Sequence, residues 1–406
     1  MTSAERRAAR YQRRKAERLA KRQKAIGKYD DFSRLSSTSA LIRAHWEARK
    51  GVMWKASVAR HDIRFFKNAL HNKRALRTKK DIRQGFYHFQ IVERGKPRDI
   101  HSLHYNERVI RRSACTNALV PILSRSLIYD NTASLKGKGV SMANRRCEQM
   151  LHRHFRQTGG NDGYILIIDY RKFFANIRHD SLMEEYHKRI HDLDLLWLTD
   201  LFVSADGENG VGLHIGPEDS QILAIAHPNR IDHLMKDVWR MPYYGRYMDD
   251  SNAIGEKAKL FDVREKLMIE FDRQGIIANP KKTQIVKLSR GFTYLKTKYY
   301  LQPNGRIVKK PDHDNIVRER RKLKKFKRYV EKGLMTLEQV GCSFMSWHGC
   351  MLRKNAHYTM QVMRSFFYSL FHARPWAKKK KGEHKHGYDQ SKRFDGRNYG
   401  LQVAAQ

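Results

Sequence analysis

Residues 243–250 read Tyr-Tyr-Gly-Arg-Tyr-Met-Asp-Asp and run on into Ser251, Asn252, Ala253 and Ile254. An aromatic run that breaks at two acids and resumes with apolar residues predicts a β-hairpin with both carboxylates at its tip. Side by side, Asp249 and Asp250 repel each other unless a cation lies against them. Taken alone, the pair reads as an exposed Asp-Asp turn. A second acid changes that reading. Tyr-Ile-Leu-Ile-Ile at 164–168 follows the turn-forming Gly159-Gly160-Asn161-Asp162-Gly163 and predicts a strand covered on both faces, closed by Asp169. A carboxylate closing such a strand is costly unless it faces water, metal or ligand. Asp169, Asp249 and Asp250 are therefore expected at the ends of adjacent strands. There they would hold two Mg²⁺, or Mn²⁺ in the same place, roughly 3.5–4 Å apart for in-line displacement at phosphorus.

Composition points to the partner. The 406 residues carry 82 Lys and Arg against 41 Asp and Glu, a formal net charge of +41. Such a chain repels itself, so a polyanion is its expected partner. No apolar run approaches the length of a spanning helix and the N-terminus lacks the apolar block of a signal peptide, so a cytoplasmic protein with no membrane partner is expected. Cys115, Cys147, Cys342 and Cys350 form no C-x-x-C pair and read as reduced thiols. Cys342, His348, Cys350 and His357 fit no familiar zinc spacing. Residues 1–27 predict one basic helix opened by a Thr2/Glu5 capping box. Residues 40–72 look helical, with Trp46, Trp54, Phe65, Phe66 and Leu70 available for burial.

The acidic elements resemble those of reverse transcriptases. Residues 167–180, IIDYRKFFANIRHD, look like motif A, and residues 247–250, YMDD, look like motif C. The resemblance covers residues 85–375 and implies an α+β, right-hand polymerase. Its parts would be a basic N-terminal extension at 1–45, fingers at 46–160, and a ferredoxin-like palm at 161–305 that includes part of the fingers. A helical thumb at 306–376 and a basic flexible tail at 377–406 would follow. It also implies the Asp triad as catalytic metal ligands, joined by the Tyr170 backbone carbonyl.

Further site residues follow from the same likeness. Residues 86–106 resemble the fingers hairpin, with Arg98 and Lys96 over the incoming triphosphate and Arg108 behind them. KGKGVSMANRRCEQML, from Lys136, resembles the next fingers motif, a helix bearing Arg145 and Arg146 toward nucleic acid. Phe174 stands five residues after Asp169, where reverse transcriptases place an aromatic gate; a ring there clashes with a 2′-hydroxyl and favours dNTPs. IGPEDSQILAIAHPNRIDH, from Ile215, resembles motif B, with Gly216 close to the templating base or nucleotide and Ser220 and Gln221 at a helix start. Lys282, or Lys281, resembles the motif D lysine, and residues 291–301 the primer grip hairpin. On the basic helix 313–333, Arg320, Arg321, Lys324 and Lys325 would hold phosphates.

Elsewhere, Ser181 and Glu184 predict a capping box opening a helix to about Leu201, and Pro228 a kink. Only about thirty residues follow the expected thumb, so no appended RNase H or endonuclease is expected. The expectation is an RNA-directed DNA polymerase copying a cognate noncoding RNA into DNA, in bacterial antiphage defence. Its partners would be template RNA, DNA product and dNTPs, with a homo-oligomer or an accessory protein left open. Ile215 and Gln221 depart from the usual motif B, which keeps open a mutagenic retroelement polymerase. A noncatalytic RNA-binding module with the same fold also stays open.

Overall fold

Five consecutive apolar residues build the strand that carries Asp169. The computed structural model describes residues 2–93 and 95–375. Among them are β1 (Phe86–Glu93), β2 (Lys96–Leu103), β3 (Tyr164–Asp169), β4 (Tyr244–Tyr247), β5 (Asp250–Gly255), β6 (Gln284–Lys287), β7 (Phe292–Tyr294), β8 (Thr297–Leu301) and β9 (Ile307–Pro311). These make a β1-β2 hairpin, a sheet of order β4-β5-β3-β6, and a sheet of order β7-β8-β9. Ile165, Leu166 and Ile168 of β3 are buried, as an unbroken apolar strand requires. β3 pairs antiparallel with β6, Ile165 opposite Val286, and Tyr170 adds a single bridge to Ala278. The Ile277 carbonyl accepts from the Arg171 N–H at 2.7 Å beside that bridge.

The chain forms two compact units. Among the described residues, one comprises those up to Ala143 with Ile168–Asn252 and Phe261–Thr283; the other comprises Asn144–Ile167, Ala253–Leu260 and those from Gln284 to Pro375. In the first, Thr2 and Glu5 cap each other and open the helix Ser3–Gly27, as expected. Leu35, Leu41, Ile110, Leu119, Ile122 and Leu123 are fully buried in its helical core. The helix Tyr105–Ala114 continues through a π-turn, Cys115–Leu119, into Val120–Ser124.

Three expectations for this unit need correction. Trp46, Phe66 and Leu70 are exposed, because Leu41, Ala44, Ala69 and Leu76 already supply the inward faces of Thr38–Ala48 and Phe65–Arg77, and Trp54 is exposed on the turn before Ala56–Ile63. The helix expected from Ser181 to Leu201 is two helices, His179–His187 and Leu193–Ser204. Asp192 separates them: its Oδ1 accepts from the N–H groups of Asp194 and Leu195, and its Oδ2 from the Phe32 N–H at 2.8 Å. Ser181 caps nothing, its Oγ lying 3.1 Å from His227 Nε2. Pro228 does separate Glu218–Ala226 from Asn229–His233.

In the second unit, helices His313–Glu331, Leu337–Met351 and His357–Phe371 close on Leu323, Phe326, Val340, Phe344, Trp347 and Phe367. Tyr368 is exposed, since it lies about 100° around the helix from the buried Phe367. β9 adds a third strand to the hairpin expected at 291–301. The expected tail at 377–406 lies outside the described residues. No helix among the described residues is long and apolar enough to cross a membrane.

Candidate active site

The three acids all belong to the first unit. Asp169 ends β3 and is buried, Asp249 sits in the β4-β5 turn, and Asp250 begins β5. The Tyr170 N–H donates to the Asp249 carbonyl at 3.3 Å, which joins the end of β3 to the hairpin turn. The turn itself is strained. Met248 has φ +56°, a left-handed conformation that an unbranched side chain adopts at a cost of order 1 kcal/mol or more. Arg246 holds it there. Its guanidinium is fully buried, donates Nη1 to the Met248 carbonyl at 3.0 Å and Nη2 to the Ile225 carbonyl at 2.8 Å, and pairs twice with Asp232. Tyr244 Oη donates to the same Asp232 carboxylate at 2.7 Å.

Electrostatics differ sharply at the tip. Burial first, then the neighbouring carboxylates of Asp249 and Asp169, push Asp250 up to about 7. Burial and Asp169 raise Asp249 as well. The cation nearest to hand is Lys282, whose Nζ donates to Asp169 Oδ1 at 2.7 Å. Burial alone would lower the pKa of this lysine; the bond to Asp169 and the charges of Asp250 and Asp249 raise it. Asn279 Nδ2 donates to the other oxygen of Asp169 at 2.8 Å, and its N–H donates to the Asp169 carbonyl at 2.7 Å. Both oxygens of Asp169 are thus engaged, and among the described residues no three ligating side chains close on a single ion position. Crowded carboxylates with one ammonium among them are still the donor set that hard divalent cations take. Asp169, Asp249 and Asp250 would hold such ions with Lys282 displaced.

Other expected residues surround this corner to different degrees. Phe174, half-buried, lies on the turn Phe173–Asn176, which Lys172 opens with φ +45°. Its carbonyl accepts from the Leu213 N–H at 2.7 Å, and its ring meets the buried Phe173 edge-on. Arg98 projects from β2, bonded through Nε to Glu93 at 2.7 Å, and its charge acts on Asp249. The side chain of Lys96 lies outside what is described. Gly216 has φ +146°, and a Cβ there would stand 2.3 Å from the His101 carbonyl. The backbone that approaches this glycine is therefore β2 itself, whose His101 N–H donates to the Ile215 carbonyl at 3.0 Å.

Ser220 lies in the first turn of Glu218–Ala226, as expected, but its hydroxyl is turned inward. It is buried and its Oγ donates to Asp206 at 2.8 Å, while Pro217 occupies the cap position. Gln221 remains exposed. Beside Gly216 a cavity of about 390 Å³ is lined by Ile100, Ser102, Arg108, Arg112 and Pro217. In the second unit, Arg145 is exposed and Arg146 donates to Gln149 Oε1 at 2.6 Å. Arg320, Arg321, Lys324 and Lys325 line an exposed face of His313–Glu331, with Arg320 over the Phe366 ring.

The sequence reading missed Asn279, Arg246 with Asp232, and Arg111. Arg111 is buried between Glu107 and Asp219, 2.6 Å from the latter, and fastens Glu218–Ala226 to Tyr105–Ala114. Burial first, and then Asp206, push Asp219 up to about 6 against the opposing pull of Arg111.

No known family profile and no curated protein matches the chain. Similar solved structures exist. Apo telomerase from Candida tropicalis truncated from its C-terminal domain is 13% identical over 55% of this chain and 55% of that one, with a TM-score of 0.43. Telomerase from Candida albicans in complex with the TWJ fragment of telomeric RNA is 11% identical over 75% and 64%, with a TM-score of 0.44. Apo telomerase from Candida tropicalis is 13% identical over 70% and 61%, with a TM-score of 0.41. This chain thus spans between 55% and 64% of those solved chains.

Proposed function

We propose that the chain is an RNA-directed DNA polymerase that adds dNTPs to a primer on an RNA template. The observation that carries this reading is the corner where Asp169, Asp249 and Asp250 crowd until Asp249 is raised and Asp250 is pushed up to about 7. Asp169, Asp249 and Asp250 would hold divalent cations there, whose Lewis acidity would serve the primer 3′-OH and the departing pyrophosphate. The chain's own groups do the rest. Asn279 fixes the rotamer of Asp169, and Lys282, released from Asp169, is free to meet a phosphate. Arg98 brings positive charge over the site from β2, and Phe174 excludes a ribose 2′-hydroxyl. On this reading β1-β2 belongs to the fingers, the β4-β5-β3-β6 sheet to the palm and the three C-terminal helices to a thumb. The exposed cations of His313–Glu331 then hold template and product phosphates without regard to sequence.

Asp249→Ala with Asp250→Ala abolishes dNTP incorporation on a primed RNA while leaving RNA binding in place; full activity in that variant removes the assignment. Phe174→Ala raises ribonucleotide incorporation relative to dNTP, and an unchanged ratio counts against the gate. For the biological setting, we read a cytoplasmic enzyme copying a dedicated noncoding RNA in antiphage defence. Sequencing the RNA and DNA that copurify with the protein tests it.

A further inference from the structure

Helices Ala56–Ile63 and Phe65–Arg77 turn a face to solvent that the carboxylate site does not use. Its apolar members are Ile63, Phe66 and Leu70, exposed by 82%, 55% and 46%. Interleaved with them are the exposed cations Arg60, Arg64, Lys67 and Arg74. The one acid in this stretch, Asp62, is held by His45 Nε2 at 2.7 Å and Arg49 Nη1 at 3.2 Å. None of the four cations has a carboxylate partner among the described residues. Beside them, the Trp46 ring packs 5.4 Å from Phe65 and carries the Arg49 guanidinium 3.9 Å over its face.

Like charges without counter-charges repel, so the face is most stable opposite a polyanion. Phosphate alone has no use for Ile63, Phe66 and Leu70. A helix lying on an anionic membrane segregates its apolar side from its cations. That arrangement is ruled out here, since Val58, Ala69 and Leu76 fix the other side of both helices in the core and leave ring and cation on one face. A single-stranded polynucleotide matches the mosaic, because it offers phosphates and unpaired bases side by side, whereas a duplex offers mainly phosphates and sugars.

We propose that this face binds single-stranded RNA. Phosphates lie at Arg60, Arg64, Lys67 and Arg74, and an unstacked base lies against Phe66. The inference rests on the polymerase reading for the ribose identity of the strand. It places an RNA anchor on elements separate from the acidic corner.

The test is fluorescence anisotropy of a labelled, unstructured single-stranded RNA on the full chain, with neither primer nor nucleotide present. A failed polymerase assignment therefore leaves the result readable. Phe66→Ala weakens binding about 5- to 160-fold, the range for losing one stacked base. Phe66→Tyr restores it, and Phe66→Leu, which keeps apolar area without a π face, does not. Arg64→Gln with Lys67→Gln flattens the salt dependence by about 1.4 in log–log slope. Circular dichroism confirms that each variant is folded, as the exposure of these side chains leads one to expect. Three results overturn the proposal: Phe66→Leu binding as well as wild type; single-stranded DNA binding equally well; or unchanged RNA affinity while phosphatidylserine vesicle binding, or mass by light scattering, falls in Phe66→Ala.

Discussion

Two charged clusters share the β4-β5 hairpin and are built on opposite terms. Arg246 and Asp232 are both fully buried, and each finds its counter-charge in the other. Three residues further on, Asp249 and Asp250 are crowded with Asp169, opposed by Lys282 and, at Asp249, by the charge of Arg98. The first cluster is complete and holds a strained turn. The second is incomplete in a way that a ligand's positive charge would complete. Buried charge that is matched inside the chain builds structure, and crowded charge that is not matched marks where chemistry takes place.

Removing one member of the matched pair should have the largest effect. Asp232→Ala leaves the Arg246 guanidinium buried without its partner, at a cost of about 3–5 kcal/mol. A denaturant titration checks this. Arg246→Met combined with Asp232→Leu should be more stable than Asp232→Ala alone, because no orphan charge remains. A single variant as stable as wild type would mean that the pair does not hold the turn.

The contrast also separates what the sequence discloses from what it hides. Asp169, Asp249 and Asp250 are legible because each ends or interrupts a β-like run, and a local pattern is all that is needed to see it. Arg246 is not, since one more arginine in so basic a chain reads as a surface cation until burial is known. Asn279 stands before Pro280 and reads as a turn residue; its contact with Asp169 spans 110 positions that no local periodicity relates. The same limit explains Ser220 and the outward aromatics of Phe65–Arg77. The apolar spacing of a helix reveals that it has a packing face, but which residues face inward depends on the neighbours already there.

A middle-sized effect should come from the residue that connects the two terms. Asn279 is uncharged, yet by holding one oxygen of Asp169 it decides which oxygen a cation meets once Lys282 is displaced. Asn279→Ala is expected to weaken Mn²⁺ binding 10- to 100-fold, about 1.4–2.7 kcal/mol, as loss of an orienting partner generally does. Titration calorimetry without nucleic acid reads this directly. Unchanged affinity would show that Asp169 is oriented by its backbone alone.

The last test reads the unmatched cluster through pH. Asp250 titrates near 7 in the folded protein, while an unfolded carboxyl titrates near 3.8. Because the folded value is the higher one, the unfolded chain releases this proton first. Stability from this group is therefore present below about pH 4 and is lost as pH rises from there through 7. In metal-free buffer the wild-type Tm should fall across that window relative to Asp250→Asn, which has no proton to lose. Mg²⁺ at pH 8 should then raise the wild-type Tm by more than that of the variant, since a cation relieves the repulsion that the missing proton leaves behind. Parallel Tm curves for the two proteins, with and without Mg²⁺, would mean that the carboxylates at the hairpin tip are not crowded, and the distinction between the two clusters would fail.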